Sequence, residues 1–271
     1  MTQNLLPIVP SDQPPQRPGK VTHNFAPALI VPGEHPLCPG CGEPIAIRSV
    51  VEMIAELGVT ERTIGVFGIG CYTTFAPKLD VEVAQALHGR APSLATGIKR
   101  MLPDNVVFTI QGDGDMANEG LQEVVHTAAR GENVTCIMLN NGVFGETGGH
   151  MTSTTVLGQR TKSSLEGRDP KLHGLPIMMS NLLATLDGVA FVARCAVNSA
   201  PNITRTRRWI KKAFETQIAG AGFSFIEILT MCPTGWFIDT LDGPDYLADK
   251  IAPVHSIGVV KDTTKDTEGA K

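Results

Sequence analysis

Asp113 and Asn141 are the two side chains in this sequence best suited to hold a cation together. Asp113 lies in Gly112-Asp113-Gly114-Asp115, directly after the apolar run NVVFTIQ, and Asn141 lies in Asn140-Asn141-Gly142, directly after VTCIMLN. The first offers an anionic oxygen and the second a neutral one, and the backbone carbonyl of Val143 could add a third. Hard oxygen donors with positions to spare suit Mg²⁺, which completes its octahedron with water and phosphate oxygens. Glycines flanking Asp113 let a diphosphate come close to the backbone. A helix starting after Met116 would aim its N-terminus at the same anion.

The cysteines form a second group. Cys38-Pro-Gly-Cys41-Gly is a tight turn that can aim two thiolates at one metal, Cys71 closes the glycine-rich run GVFGIGC, and Cys232 opens Cys-Pro-Thr after FIEILTM. All four fall in turns or just outside expected strands. Cys136 and Cys195 fall inside apolar runs and read as small core residues. Four thiolates could hold zinc or an iron–sulfur cluster. A zinc ribbon usually brings two close pairs, and here there is one close pair with two distant single cysteines.

These residues need a scaffold, and the hydrophobic pattern supplies one. EPIAIRSVVEMIAELG has Ile45, Ile47, Val50, Val51, Ile54 and Leu57 at helical spacing, with Gly58 to stop it. SLATGIKRML, GLQEVVHTAARGE and a stretch around Arg207–Gln217 read as further helices. RTIGVFGIG, NVVFTIQGDGD, NVTCIMLNNG, GVAFVARCAV and FSFIEILTMC read as buried strands. Apolar β-branched runs joined by helices imply an α/β fold, a parallel sheet with helices on both faces. Ligands in such sheets sit at the carboxyl ends of strands, where Asp113 and Asn141 fall.

Composition sets the limits. The chain has 271 residues, 42% apolar and 18% charged, which is globular, and a net charge of −4 gives no reason to expect nucleic acid. No apolar run approaches the roughly 18 residues that span a bilayer, so no membrane partner is expected. The N-terminus lacks a basic start followed by an apolar block, which points to a cytoplasmic protein with reduced thiols. Residues 1–32 are rich in proline and read as an extended N-terminal arm, residues 33–254 as one domain, and residues 255–271 as a polar C-terminal tail. The segment 205–212 (RTRRWIKK) holds five positive charges. It reads either as a solvated helix face around Ile210, Ala213, Phe214 and Ile218 or as a docking patch for an acidic partner.

Gly-Asp-Gly followed by Asn-Asn, with Asp113 and Asn141 28 positions apart, resembles the thiamine diphosphate motif. LCPGCGEP, GIGC, LHGRAPSLATGIK, QGDGDMANEG, LNNGVFGETGG and CPTGW follow one another in this order. Together they resemble the β, pyrophosphate-binding subunit of 2-oxoacid:ferredoxin oxidoreductases, from about His35 to Asp242. Gly158-Gln159-Arg160-Thr161 and Gly167-Arg168-Asp169-Pro170 bring it nearest to the 2-oxoglutarate and 2-oxoisovalerate subgroups. The resemblance implies a thiamine diphosphate-binding fold and a four-iron, four-sulfur cluster on Cys38, Cys41, Cys71 and Cys232. It implies Mg²⁺ on Asp113, Asn141 and the Val143 carbonyl. It also places Gly112, Gly114, Asp115, Gly145 and the His88-Gly89-Arg90 segment near the cofactor.

The implied reaction is oxidative decarboxylation of a 2-oxo acid to acyl-coenzyme A and CO₂, with electrons passed through the cluster to ferredoxin. The alternative is a non-oxidative thiamine diphosphate-dependent decarboxylase subunit. The glutamate that usually activates the aminopyrimidine has no recognisable place in this chain. The resemblance puts it on a catalytic α subunit, with α–β pairs dimerised. One departure stands out. Many relatives read YGMTGGQ after the Asn-Asn pair, and this chain reads Phe144-Gly-Glu146-Thr-Gly-Gly-His150. A carboxylate at Glu146 would repel a second substrate carboxylate, unless it turns away to pair with an arginine of the partner.

Overall fold

The alternation of apolar residues along the strands dictates a sheet covered on both sides. In β3 (Val106–Gly112), Val106, Phe108 and Ile110 join one hydrophobic cluster while Val107 joins another. In β4 (Thr135–Asn140), Ile137 and Leu139 face the first cluster, and Cys136 and Met138 the second. Period-two alternation with both faces apolar is the signature of a buried parallel strand.

The computed structural model describes residues 29–30 and 35–265. The other strands are β1 (Thr63–Phe67), β2 (Glu82–Gln85), β5 (Val143–Phe144), β6 (His150–Met151), β7 (Val189–Ala196), β8 (Phe223–Leu229) and β9 (Gly258–Asp262). The main sheet has the order β2-β1-β3-β4-β8-β7-β9, parallel throughout except for β9, and β5 and β6 form a separate antiparallel pair.

The helices are α1 (Glu43–Glu56), α2 (Ala91–Met101), α3 (Leu121–Ala129), α4 (Pro170–His173), α5 (Met179–Ala184), α6 (Ala200–Ile218), α7 (Pro233–Trp236) and α8 (Gly243–Tyr246). α1 and α6 pack together on one face, and α2, α3 and α5 cover the other. α1 follows its sequence pattern. Ala46, Ile47, Val50, Val51 and Ile54 are wholly buried, Pro44 sits in the first turn, and Gly58 follows with φ of 66°.

The basic run lies on α6, with Ile210, Ala213 and Phe214 buried and Ile218 half-exposed. Arg207 and Lys211 are not free for docking: they pair with Glu52 and Glu56 of α1. The arm largely lies outside the described residues. Leu29 and Ile30 lie inside them and run antiparallel to the segment at Leu79–Asp80. The tail reading is corrected from His255 to Lys265. Gly258–Asp262 add to the sheet as an antiparallel edge strand on β7, and His255 is fully buried. An edge strand buries one side only, so its polar sequence carries little hydrophobic signal.

A polar network ties this end of the sheet together. Glu227 of β8 accepts from Asn140 Nδ2 at 2.8 Å, Ser180 Oγ at 2.5 Å and Arg194 Nε at 2.8 Å, and His255 Nδ1 lies 3.4 Å away. Burial pushes the Glu227 carboxyl up, but His255, Arg194 and Ser180 outweigh it and hold the group well below the ordinary glutamate range. Glu227 therefore adds stability that is fully present above about pH 4.5, the unperturbed value, and is lost as pH falls toward its folded value. Glu227→Gln strands Arg194 in the interior and should cost about 3–5 kcal/mol in urea unfolding at pH 7. The variant should also show a shallower loss of stability below pH 4.5 than the parent chain.

Candidate active site

β3 and β4 are adjacent and parallel, so their carboxyl ends lie side by side, with Gly112 paired to Leu139. That register carries Asp113 and Asn141 to one cleft. The cleft, of about 80 Å³, is also lined by Gly112, Gly114, Asp115, Val143, Gly145, His88 and Glu146. The backbone N–H of Asn141 faces the Asp113 carboxylate and favours its charged form. Asn141 Oδ1 accepts from Val143 N at 2.9 Å, which fixes the amide oxygen toward the same turn. Asn140 donates through Nδ2 to Glu227, and its Oδ1 accepts from Gly142 N and Thr154 Oγ1, so it joins the Glu227 network to the threonine that holds Asp113.

Asp113 is 1% exposed. Its Oδ2 accepts from Thr152 Oγ1 at 2.6 Å and Thr154 Oγ1 at 2.5 Å. Burial pushes the carboxyl up, and the two threonines and the N–H groups of Asn141 and Asp113 itself pull it back, leaving it raised to about 6. No lysine or arginine pairs with Asp113 among the described residues. A buried carboxylate without a protein cation, aimed at neutral oxygen donors, fits a bound metal ion.

The threonines stand on a loop that Arg168 gathers. Its guanidinium, nearly buried, donates to the carbonyls of Thr152, Ser153, Thr155, His173, Gly174 and Leu175. Asp169 caps α4 by accepting from Lys171 N and Leu172 N. Gly158 N donates to Arg168 O, and Gln159 Oε1 accepts from Val156 N. The Gly-Gln-Arg-Thr and Gly-Arg-Asp-Pro segments therefore serve as the clamp that sets Thr152 and Thr154 on Asp113.

Cys38, Cys41, Cys71 and Cys232 line one neighbouring cavity of about 220 Å³. Among the described residues no three His, Cys, Asp or Glu side chains close on a point as a single metal ion requires. Sulfurs spread around a cavity of this size fit a polynuclear group better than one zinc ion, whose sulfur bonds are about 2.3 Å long. Burial, then the charge of Glu43, pushes the Cys71 thiol up to about 12; burial does the same to Cys232, and Cys41 rises further. Thiolates here need a positive group to form. A Cβ on Gly145 would sit 3.3 Å from Cys71 Sγ and 3.7 Å from Cys232 Sγ, so a side chain there would crowd the sulfurs. Cys136 and Cys195 are fully buried in strands, as core residues.

Sequence reasoning missed Glu43. It is 3% exposed in the first turn of α1, lines both cavities, and has no hydrogen-bond partner at Oε2. Burial, then Asp113 and Glu146, raise its carboxyl to about 8. The only signal for it was its place two residues after Cys41. The His-Gly-Arg segment splits. His88 lines the cleft, whereas Arg90 turns out to Glu123 at 2.9 Å. Glu146 is exposed at the mouth, without an ion pair among the described residues.

A parallel sheet that presents Gly-Asp-Gly and Asn-Asn from adjacent strand ends to one cleft defines a thiamine pyrophosphate-binding domain. Residues 68–228 match the family "Thiamine pyrophosphate enzyme, C-terminal TPP binding domain". The chain is 37% identical to the ketoisovalerate oxidoreductase subunit VorA of Methanothermobacter thermautotrophicus, over 85% of this chain and 48% of that one. It is 32% identical to the 2-oxoacid:ferredoxin oxidoreductase subunit beta of a Sulfolobus species, over 80% of this chain and 68% of that one. The chain belongs to the thiamine pyrophosphate enzymes, among the β subunits of the 2-oxoacid:ferredoxin oxidoreductase family. It spans about half the length of its VorA relatives. The fold is shared with a solved 2-oxoglutarate:ferredoxin oxidoreductase from Magnetococcus marinus carrying 2-oxoglutarate, coenzyme A and succinyl-CoA, at a TM-score of 0.74 and 24% identity, over 87% of this chain and 84% of that one. No helix among the described residues is long and apolar enough to cross a membrane.

Thr152→Val and Thr154→Val each remove a hydrogen bond that favours the charged form of Asp113. Each should move its titration upward from about 6, read by carboxyl ¹³C chemical shift in the metal-free chain, and the double variant should move it furthest.

Proposed function

We propose that this chain is the cofactor-carrying β subunit of a 2-oxoacid:ferredoxin oxidoreductase that converts a 2-oxo acid and coenzyme A to acyl-coenzyme A and CO₂, with the released electrons delivered to ferredoxin. One observation carries this reading: the Asp113–Asn141 cleft and the four-cysteine cavity share the wall formed by Glu43, Cys71, Asn141, Gly145 and Glu146. A decarboxylating coenzyme and an electron acceptor held there would be neighbours.

Asp113, the Asn141 side chain and the Val143 carbonyl would hold Mg²⁺ and, through it, the diphosphate. Thiamine diphosphate, when bound, supplies the electron sink into which CO₂ departs. The residues around it act by placement. Gly112 and Gly114 let the backbone approach the anion, and Gly145 keeps the partition toward the sulfurs thin. Cys38, Cys41, Cys71 and Cys232 would hold a four-iron, four-sulfur cluster that takes electrons singly. Asp115 and Arg90 are committed to partners within the chain, which leaves His88 as the member of its segment facing the cofactor. The family resemblance puts the aminopyrimidine-activating glutamate on the α subunit; Glu43 of this chain lines the cleft and the cysteine cavity.

Glu146 selects among substrates. A carboxylate at the mouth, without an ion pair among the described residues, disfavours a second substrate carboxylate, so the reading favours branched-chain 2-oxo acids over 2-oxoglutarate. Glu146→Leu should raise kcat/KM for 2-oxoglutarate relative to 2-oxoisovalerate by about tenfold, the equivalent of about 1.4 kcal/mol.

Anaerobic isolation of the chain with its natural partners tests the whole reading. The expected result is a brown protein absorbing near about 400 nm, holding thiamine diphosphate and Mg²⁺. Ferredoxin reduction should depend on a 2-oxo acid and on coenzyme A, and the chain alone should be inactive. A colourless, zinc-bearing protein that decarboxylates without an electron acceptor would refute it.

A further inference from the structure

Asp115, the second aspartate of Gly-Asp-Gly-Asp, borders the cleft, but its carboxylate is fully used inside the chain. Oδ2 accepts from Tyr72 OH and from Gln111 Nε2, each at 2.8 Å. Oδ1 accepts from Gly89 N at 2.6 Å and faces His88 Nε2 at 3.3 Å. The side chain is 1% exposed, and among the described residues its only ion-pair partner is that histidine.

The surroundings are built around this anion. A Cβ at Gly68, the residue after β1, would stand 1.8 Å from Oδ2, so a side chain there would displace the carboxylate. Gly89 has φ of 76°, and a Cβ on it would come within 2.6 Å of the Glu119 carbonyl and of Gly120 N. The turn carrying His88 is thus seated backbone to backbone on the turn carrying Asp115. Burial, then the Asp115 charge, keeps the Tyr72 phenol protonated and donating.

A carboxylate only accepts, so at 3.3 Å it favours a hydrogen on the ring nitrogen that faces it, although the contact is not an aligned hydrogen bond. It therefore favours the Nε2–H tautomer of the neutral His88 ring, with the lone pair on Nδ1. The ring is 38% exposed, borders the cleft and meets Phe144 edge-on at 6.3 Å between centroids. Nδ1 has no partner among the described residues.

We propose that Asp115 is a positioning residue rather than a cofactor ligand: through Oδ1 it fixes both the His88-Gly89 turn and the His88 tautomer, so that His88 meets the bound cofactor through Nδ1. The effect on binding rests on the thiamine diphosphate reading above; the tautomer does not. Carboxylates that orient a histidine in this way commonly change affinity by about 10–100-fold when removed.

The test uses the full chain, purified anaerobically and labelled with ¹⁵N-histidine, with His88 assigned by its loss in His88→Asn. The Nε2–H form should dominate the neutral ring of the unmodified chain, and a dominant Nδ1–H form would overturn the proposal whatever any variant does. In Asp115→Asn the His88 signals should shift toward mixed tautomers, and the dissociation constant of Mg²⁺–thiamine diphosphate should rise at least tenfold. In a His88→Asn background the same change should add no more than about twofold. An equal loss in both backgrounds would mean that Asp115 acts independently of His88 and would refute the assignment. If the unmodified chain bound no thiamine diphosphate, the functional reading would fall, and the tautomer would still decide the pairing.

Discussion

A carboxylate removed from water, with no protein cation beside it among the described residues, governs this structure. Moving such a group into an interior costs several kcal/mol unless hydrogen bonds and a counter-charge offset it. Asp113 accepts from two threonine hydroxyls and is favoured by two nearby backbone N–H groups, and these still leave it raised to about 6. The remaining deficit is a demand for positive charge. The chain's large-scale features follow from meeting it: β3 beside β4 in parallel register, the excursion after β6 that carries the threonines, and the buried arginine that holds that excursion by its carbonyls.

The same electrostatic logic extends across the shared wall. Glu43, Asp113 and Glu146 place acidic groups beside four thiols, and every shift resolved among these neighbours is upward. Such a concentration of acceptors and thiols is unfavourable in the bare chain. Under the proposed function, bound cations would relieve it and stability would be linked to cofactor content by mass action.

Much of this was legible in the sequence. Long buried strands and helices have strong periods, so β1, β3, β4, β7 and β8 fell where the pattern put them, as did α1, α2, α3 and α6. Asp113 and Asn141 were visible because each terminates such a strand. What escaped was short or one-sided. β2 has an intermediate and exposed face, β9 is a polar edge, and β5 with β6 makes a two-residue pairing. Glu43 escaped because a glutamate in the first turn of a helix normally reads as a solvated charge favoured by the helix dipole. Sequence places Asp115 and Arg90 near the cleft but does not show that their side chains already have partners in Tyr72, Gly89 and Glu123.

Trp236 gives the two cavities a mechanical link. It follows Cys232 within one short turn, and its indole Nε1 donates to the Asn141 carbonyl at 2.7 Å while its ring lies against Tyr246. The turn that follows Cys232 and the turn that carries Asn141 are thereby tied to each other. Under the function proposed above, oxidative damage at the four cysteines would disturb the turn that presents Asn141, and the contents of both cavities would be lost together in air.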